Sequence, residues 1–188
     1  MIKKDLRKKI KLIRENLSFE EKESLSDVII KKFLEDETLK KSKTVMSYMS
    51  FKNEVETKEL HSLLISLGKT VILPKVVGDN IIPIKISKLF SQGNFGILEP
   101  IGNEFLEKID LIIVPGIVFN RSGDRIGFGK GFYDRFLSQK RYETSFKVSF
   151  AYDFQVVDSF QGEKFDIKID RLITDKEILN FHKNKSII

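Results

Sequence analysis

The chain has 188 residues, 41% hydrophobic and 32% charged, which suits one compact domain and excludes a disordered or low-complexity chain. The absence of cysteine, with only two histidines, His61 and His182, excludes disulfides, thiol nucleophiles, Cys-ligated zinc and iron–sulfur clusters. The 33 basic and 27 acidic side chains give a net charge of +6, which favours anionic small molecules or polyanions as partners.

Leu6, Ile10, Ile13 and Leu17 recur at helical spacing, so Ile2–Asn16 is predicted to be an amphipathic helix. Met1–Lys11 alternates lysine with single apolar residues and lacks the continuous apolar core of a secretory signal, and a cytoplasmic location is expected. Ser18 followed by Glu21 is a capping-box pattern that opens a second helix to Leu34, with Leu25, Val28, Ile29 and Phe33 inward. A strand is predicted over Thr44–Met49, a helix over Thr57–Leu67, and a strand over Thr70–Leu73 that ends at Pro74. The Gly78-Asp79-Asn80 turn then leads into a strand over Ile81–Ile86.

Leu111–Val114 is apolar throughout, as in a strand covered on both faces. The apolar run it begins, to Phe119, is far short of the ~20 residues that cross a bilayer, and no membrane partner is expected. After a loop, a helix is predicted over Phe132–Gln139, then strands over Lys147–Tyr152 and Ile169–Thr174, with a frayed tail from Asn180 to Ile188. Strands alternating with helices predict a three-layer α/β/α fold. It has a mostly parallel central sheet in a single domain, residues 1–188, whose first 40 residues are helical. Ligands of such sheets bind beyond the carboxyl ends of the strands.

The densest chemistry lies in Gly123-Asp124-Arg125-Ile126-Gly127-Phe128-Gly129-Lys130-Gly131-Phe132-Tyr133-Asp134-Arg135. Four glycines interleaved with cations let backbone approach an anion closely, and Asp134 is placed to hold the Mg²⁺ that accompanies a nucleotide. A P-loop requires glycine five places before the Gly-Lys pair and Ser or Thr after it; here Asp124 and Gly131 stand there. A dinucleotide fingerprint requires its glycines directly after the strand, and the intervening loop is too long. Seven arginines serve the whole chain, and three of them, Arg121, Arg125 and Arg135, fall within one short stretch that includes this segment, which suits bidentate phosphate contacts.

The run Val114-Pro115-Gly116 through Phe119, then Gly123, Arg125, Gly127, Gly129, Gly131, Tyr133 and Asp134, resembles the signature of the 5-formyltetrahydrofolate cyclo-ligase family. The resemblance extends to Lys3-Lys4-Asp5-Leu6-Arg7, to Glu54-Val55-Glu56-Thr57, to Phe95-Gly96-Ile97-Leu98-Glu99-Pro100, and to Gln155, Glu163, Asp166, Asp170 and Thr174. It implies an ATP- and Mg²⁺-dependent ligase of one-carbon metabolism that converts 5-formyltetrahydrofolate to 5,10-methenyltetrahydrofolate through a phosphorylated formyl group. Carried over, it implies ATP binding by Lys3, Lys4, Arg7, Arg125, Gly127, Gly129, Lys130, Gly131, Phe132 and Tyr133. Mg²⁺ falls to Asp134 and Asp166, and folate contacts to Met49, Glu54, Phe128, Gly129, Lys130, Gly131 and Phe132. Arg125 and Lys130 are the implied catalytic cations. The sequence departs from the family at Phe128 and Phe132, where tyrosine is common, at Phe165, where histidine is common, and at Gln161, where proline is.

Taken by themselves, Lys3, Lys4 and Arg7 read as the solvated face of a lysine-rich helix, and Glu54 and Glu56 as acids favouring a helix start. Glu54 is the better candidate of those two because it lies nearer the end of its strand. Of Asp166 and Asp170, one metal ligand and one structural acid is the expected split. His61 reads as a surface or packing residue. A basic RNA-binding module would also use the positive charge, but no recognition motif with paired stacking aromatics is present, and no nucleic-acid partner is expected. A sugar-phosphate isomerase or CoA-transferase-like enzyme with a similar sheet would act without ATP. The expected enzyme is a monomer acting on small molecules.

Overall fold

A computed structural model describes residues 3–93, 96–163 and 165–181. Helix α1 (Lys3–Glu15) buries Leu6, Ile10 and Arg14, whereas Ile13, expected inward, is exposed. Helix α2 (Phe19–Leu34) opens on the expected capping box, with Glu21 N donating to Ser18 Oγ at 3.1 Å and Ser18 N donating to Glu21 Oε2 at 2.9 Å. Its buried stripe is Ser26, Ile29 and Phe33; Val28, also expected inward, faces solvent. Both errors share a cause: a polar residue, Arg14 or Ser26, takes the core-facing position that an apolar neighbour was expected to hold. Helix α3 (Glu37–Lys41), capped by Asp36, is too short to show a period.

Strand β1 (Thr44–Met46) stops before the expected Met49. It is followed by α4 (Lys58–Ser66), β2 (Thr70–Val77), β3 (Asn80–Lys85), the short β4 (Phe90–Gln92) and β5 (Leu98–Pro100). Pro74 does not end β2. It faces Pro83 across the antiparallel β2–β3 pair, while β1 pairs with β2 only as far as Ile72. Two facing prolines make a non-hydrogen-bonded pair, so the Pro74 ring nitrogen turns to the side where the ladder has already stopped.

Next come β6 (Leu111–Ile113), a tight hairpin of β7 (Val118–Asn120) and β8 (Arg125–Ile126), α5 (Phe132–Leu137), β9 (Phe146–Ala151), β10 (Val156–Val157), β11 (Arg171–Thr174) and β12 (Ile178–Asn180). Asn180, the expected start of a frayed tail, instead pairs with Arg171 at the sheet edge. Ile2, Phe95 and residues 182–188, including His182, lie outside the described residues.

The main sheet has the order β12-β11-β9-β6-β1-β2-β3. Pairings from β11 through β2 are parallel, and β12 and β3 close the two edges antiparallel. Alternate residues face opposite layers, as the strand period demands. Val45, Val71, Leu111, Ile113, Val148 and Ile173 meet Ile29, Phe33, Leu60 and Leu64 of α2 and α4. Met46, Ile72, Ile112, Val114 and Leu172 meet Phe136 and Leu137 of α5 on the other side. Helix α1 seats Leu6 and Ile10 on Ile117, Val118 and Ile126 of the small β10-β7-β8 sheet. The mixed α/β architecture with a mostly parallel sheet and helices on both faces is the one expected.

Candidate active site

Strand order reverses between β1 and β6: the chain runs from β1 outward through β2 and β3, then returns to β6 and continues outward through β9 and β11. Loops leaving the carboxyl ends of two such neighbours diverge and leave a crevice. A cavity of about 680 Å³ opens there, bounded by Tyr48 and Met49 after β1 and by Pro115 after β6.

Helix α1 forms one wall. Lys3, Arg7, Lys11 and Arg14 are spaced four, four and three residues apart and all line the cavity, since that interval keeps side chains on one helical face. The glycine segment forms the adjoining wall. Gly129 and Gly131 have φ of 95° and 66°, a backbone region that disfavours residues with a Cβ. A Cβ at Gly131 would also lie 2.9 Å from Arg135 Nη1. Arginines hold this loop by its carbonyls, Arg7 Nε donating to Gly127 O at 2.8 Å and Arg135 Nη1 to Lys130 O at 2.9 Å. Helix α5 is a single short turn and a half, so the anion-binding character of this wall rests on the loop and its cations more than on a helix dipole.

The β7–β8 hairpin inserts Arg125 beneath the loop, with its side chain only 4% exposed. Its Nη2 donates to Asp134 Oδ1 at 2.8 Å, and its buried Nε has no partner among the described residues. Burial pulls the Arg125 pKa down, and the Asp134 carboxylate opposes that shift. Ile167 N donates to the same Asp134 oxygen at 3.3 Å, which places Asp166 beside it. Asp166 Oδ2 accepts from Lys3 Nζ at 2.7 Å and from Glu163 N at 2.8 Å. Burial works against the Asp166 carboxylate, but the Glu163 N–H and the Lys3 ammonium outweigh it and hold its pKa below the ordinary value.

Apolar lining comes from the strand ends: Tyr48 and Met49, Pro74 and Val76 of β2, Ile81 of β3, with Phe132 and Tyr133 from α5. Glu54 is buried among them and accepts from Phe51 N at 3.0 Å. Burial raises its pKa, partly offset by Arg14 and that N–H. The buried Tyr133 hydroxyl has no partner among the described residues, and its pKa is raised by burial and by the nearby Glu54 charge. One face of the cavity is thus cationic and the other flat and apolar, with two buried carboxylates, Glu54 and Glu99, in its lining.

Every residue the sequence nominated for binding or catalysis lines this cavity except Lys4, which is exposed and outside it. Asp170 bonds to Lys147 N at 2.8 Å and supports the chain, as expected for one of the two acids. Glu56 turns away to Ser50 and Lys22. Lys11 and Arg14 were missed; their spacing from Lys3 and Arg7 was the available signal. Tyr48 carried none. Phe128 is half exposed beneath Lys11, whose Nζ lies 5.2 Å from the ring centroid, and Phe165 is exposed.

His61 packs behind the β1 end, its Nε2 2.9 Å from Ser47 Oγ, and burial lowers its pKa from 6.5 to about 4. The unfolded chain therefore takes up this proton first, and the neutral ring's contribution is complete above pH 6.5 and lost as the pH falls toward 4. That is at most about 3 kcal/mol. His61→Gln is expected to flatten the fall in urea-unfolding stability between pH 6.5 and 4.5; equal slopes for both proteins would contradict this.

An α/β enzyme whose switch-point crevice joins a cationic wall to a flat apolar one is the class that this fold and site define. A model of the 5-formyltetrahydrofolate cyclo-ligase family matches residues 1–175, and the chain belongs to that family of ligases. It is 33% identical over 178 residues to the 5-formyltetrahydrofolate cyclo-ligase of Mycoplasma pneumoniae, covering 94% of this chain and all of the relative. An NMR structure of Aquifex aeolicus 5,10-methenyltetrahydrofolate synthetase superposes with a TM-score of 0.87 at 38% identity, covering 100% of this chain and 97% of that one. The solved 5,10-methenyltetrahydrofolate synthetase of Mycoplasma pneumoniae gives 0.75 at 32% identity, covering 93% and 99%.

Proposed function

We propose that this chain uses MgATP to cyclise 5-formyltetrahydrofolate to 5,10-methenyltetrahydrofolate, releasing ADP and phosphate. The observation that carries the reading is the convergence of the Arg125–Asp134 and Lys3–Asp166 pairs and Glu54 on one cavity. In this reading the triphosphate lies along Lys3, Arg7, Arg125, Lys130 and the glycine loop, and the pterin against Met49, Phe132 and the apolar wall. Glu54 orients the folate.

The carboxylates fit Mg²⁺. Asp134 and Asp166 each keep one oxygen, Oδ2 and Oδ1, that takes no hydrogen bond from the described residues. No three His, Asp or Glu side chains converge among those residues. Mg²⁺ characteristically takes one or two carboxylates and completes its shell with phosphates and water. When bound it neutralises phosphate charge.

In the first step, the formyl oxygen attacks the γ-phosphorus and the bond to the β-phosphate oxygen breaks, releasing ADP. The anilino nitrogen then attacks the activated carbon and loses its proton, the carbon–oxygen bond breaks, and phosphate leaves with the electron pair. Such transfer depends on positioning and charge compensation. Arg125 and Lys130 supply the charge on this chain without cysteine or histidine. The same reading takes the enzyme to be a cytoplasmic monomer acting on small molecules, with no nucleic acid or membrane partner. Among the described residues no helix is long and apolar enough to cross a membrane.

Purified protein incubated with 5-formyltetrahydrofolate is expected to develop methenyl absorbance only with MgATP. No product with MgATP, or product without ATP, would overturn the proposal.

A further inference from the structure

Both carboxylates read as metal ligands are already paired with cations of the chain itself. Lys3 Nζ lies 2.7 Å from Asp166 Oδ2 and 3.0 Å from Glu163 Oε1, and Arg125 Nη2 lies 2.8 Å from Asp134 Oδ1. The two pairs part with unequal ease. The Lys3 side chain is 22% exposed on a flexible stem, whereas that of Arg125 is 4% exposed, and a buried guanidinium stripped of its carboxylate is an uncompensated charge. Arg125 also holds a buried Nε donor that no described residue satisfies.

Resting on the MgATP reading, we propose that Lys3 is a tethered counter-ion of the metal site. Its ammonium holds Asp166 and Glu163 until nucleotide phosphates accept it, so divalent metal and nucleotide bind as one coupled event. A free divalent ion must lose part of its hydration and approach Asp166 beside the ammonium that already neutralises its other oxygen, gaining only two carboxylate oxygens. A phosphate chain changes that balance. It offers Lys3 a new acceptor, satisfies Arg125 Nε, releases Asp166 Oδ2 and adds its own oxygens to the metal shell. Helix α1 need not move for this: Leu6 and Ile10 keep it seated and Arg7 stays bonded to Gly127 O, so rotation of the Lys3 stem suffices.

Coupling of this kind is reciprocal and typically worth about 5–150-fold in affinity. The test is titration of the full chain with Mn²⁺, a paramagnetic substitute for Mg²⁺. Free Mn²⁺ is read from its EPR signal, with and without a non-hydrolysable ATP analogue and against an analogue-only blank. Wild-type affinity for Mn²⁺ is expected to rise at least about tenfold with the analogue. Lys3→Met keeps the stem without the charge; it should raise the Mn²⁺ affinity of nucleotide-free protein about tenfold and shrink the coupling, and Lys3→Arg should restore wild-type behaviour. Equal wild-type affinity with and without the analogue overturns the inference and needs no variant. So does a folded Lys3→Met protein that matches wild type without nucleotide. Wild-type turnover with MgATP but no coupling defeats this inference alone, whereas failure to form the methenyl product defeats the functional reading instead.

Discussion

Alanine at Arg125 is expected to lower turnover by a factor of about 10² to 10³, the usual cost of removing a preorganised group that stabilises developing charge. Three features of this arginine set the expectation. Its guanidinium is buried, fixed by Asp134 at 2.8 Å, and its Nε has no partner among the described residues. Under the proposed mechanism, a buried charge held in place acts more strongly than one in water, with little reorganisation as charge shifts onto the transferring phosphoryl group. Lysine at the same position is expected to recover only part of the loss, because an ammonium cannot bond Asp134 and phosphate through a planar fork. Single-turnover methenyl formation at saturating ATP is the measurement. Near-normal rates in Arg125→Ala would remove this residue from the chemistry.

Asp134→Asn is expected to raise the Mg²⁺ concentration for half-maximal activity by at least about tenfold, in line with the cost of disturbing metal-site carboxylates. Asparagine keeps an oxygen for the Arg125 and Ile167 donors, so geometry is largely preserved and the missing charge is what the titration reports. Excess Mg²⁺ should return part of the rate. Loss of the counter-charge to a buried arginine should also lower the thermal midpoint. An unchanged Mg²⁺ titration in the folded variant would exclude Asp134 as a ligand.

Much of this site was legible because its chemistry is concentrated in one segment. Gly123, Gly129 and Gly131 mark loop backbone that other residues do not adopt cheaply, with Arg125 among them and Asp134 just after. Distant members were harder to read. Lys3 and Arg7 become meaningful only once Leu6 and Ile10 have docked α1 on the small sheet, an event with no local sequence signature. The resemblance to a known family assigned them before geometry did. Arg14 was missed because Ile13 beside it is the better hydrophobic residue, and only the interval from Arg7 told otherwise. The β7–β8 hairpin went unseen because β8 is two residues long. Pro74 misled for a different reason: a single-strand rule cannot know that the neighbouring strand stops early.

The ion pair between Lys3 and Asp166 spans 163 positions of the chain. During synthesis α1 emerges well before Ile117, Val118 and Ile126, on which it seats, and before the acid that Lys3 holds, so the crevice cannot acquire this wall until the small sheet has been made. Until then α1 travels as an unseated cationic amphiphile, attractive to any acidic surface it meets.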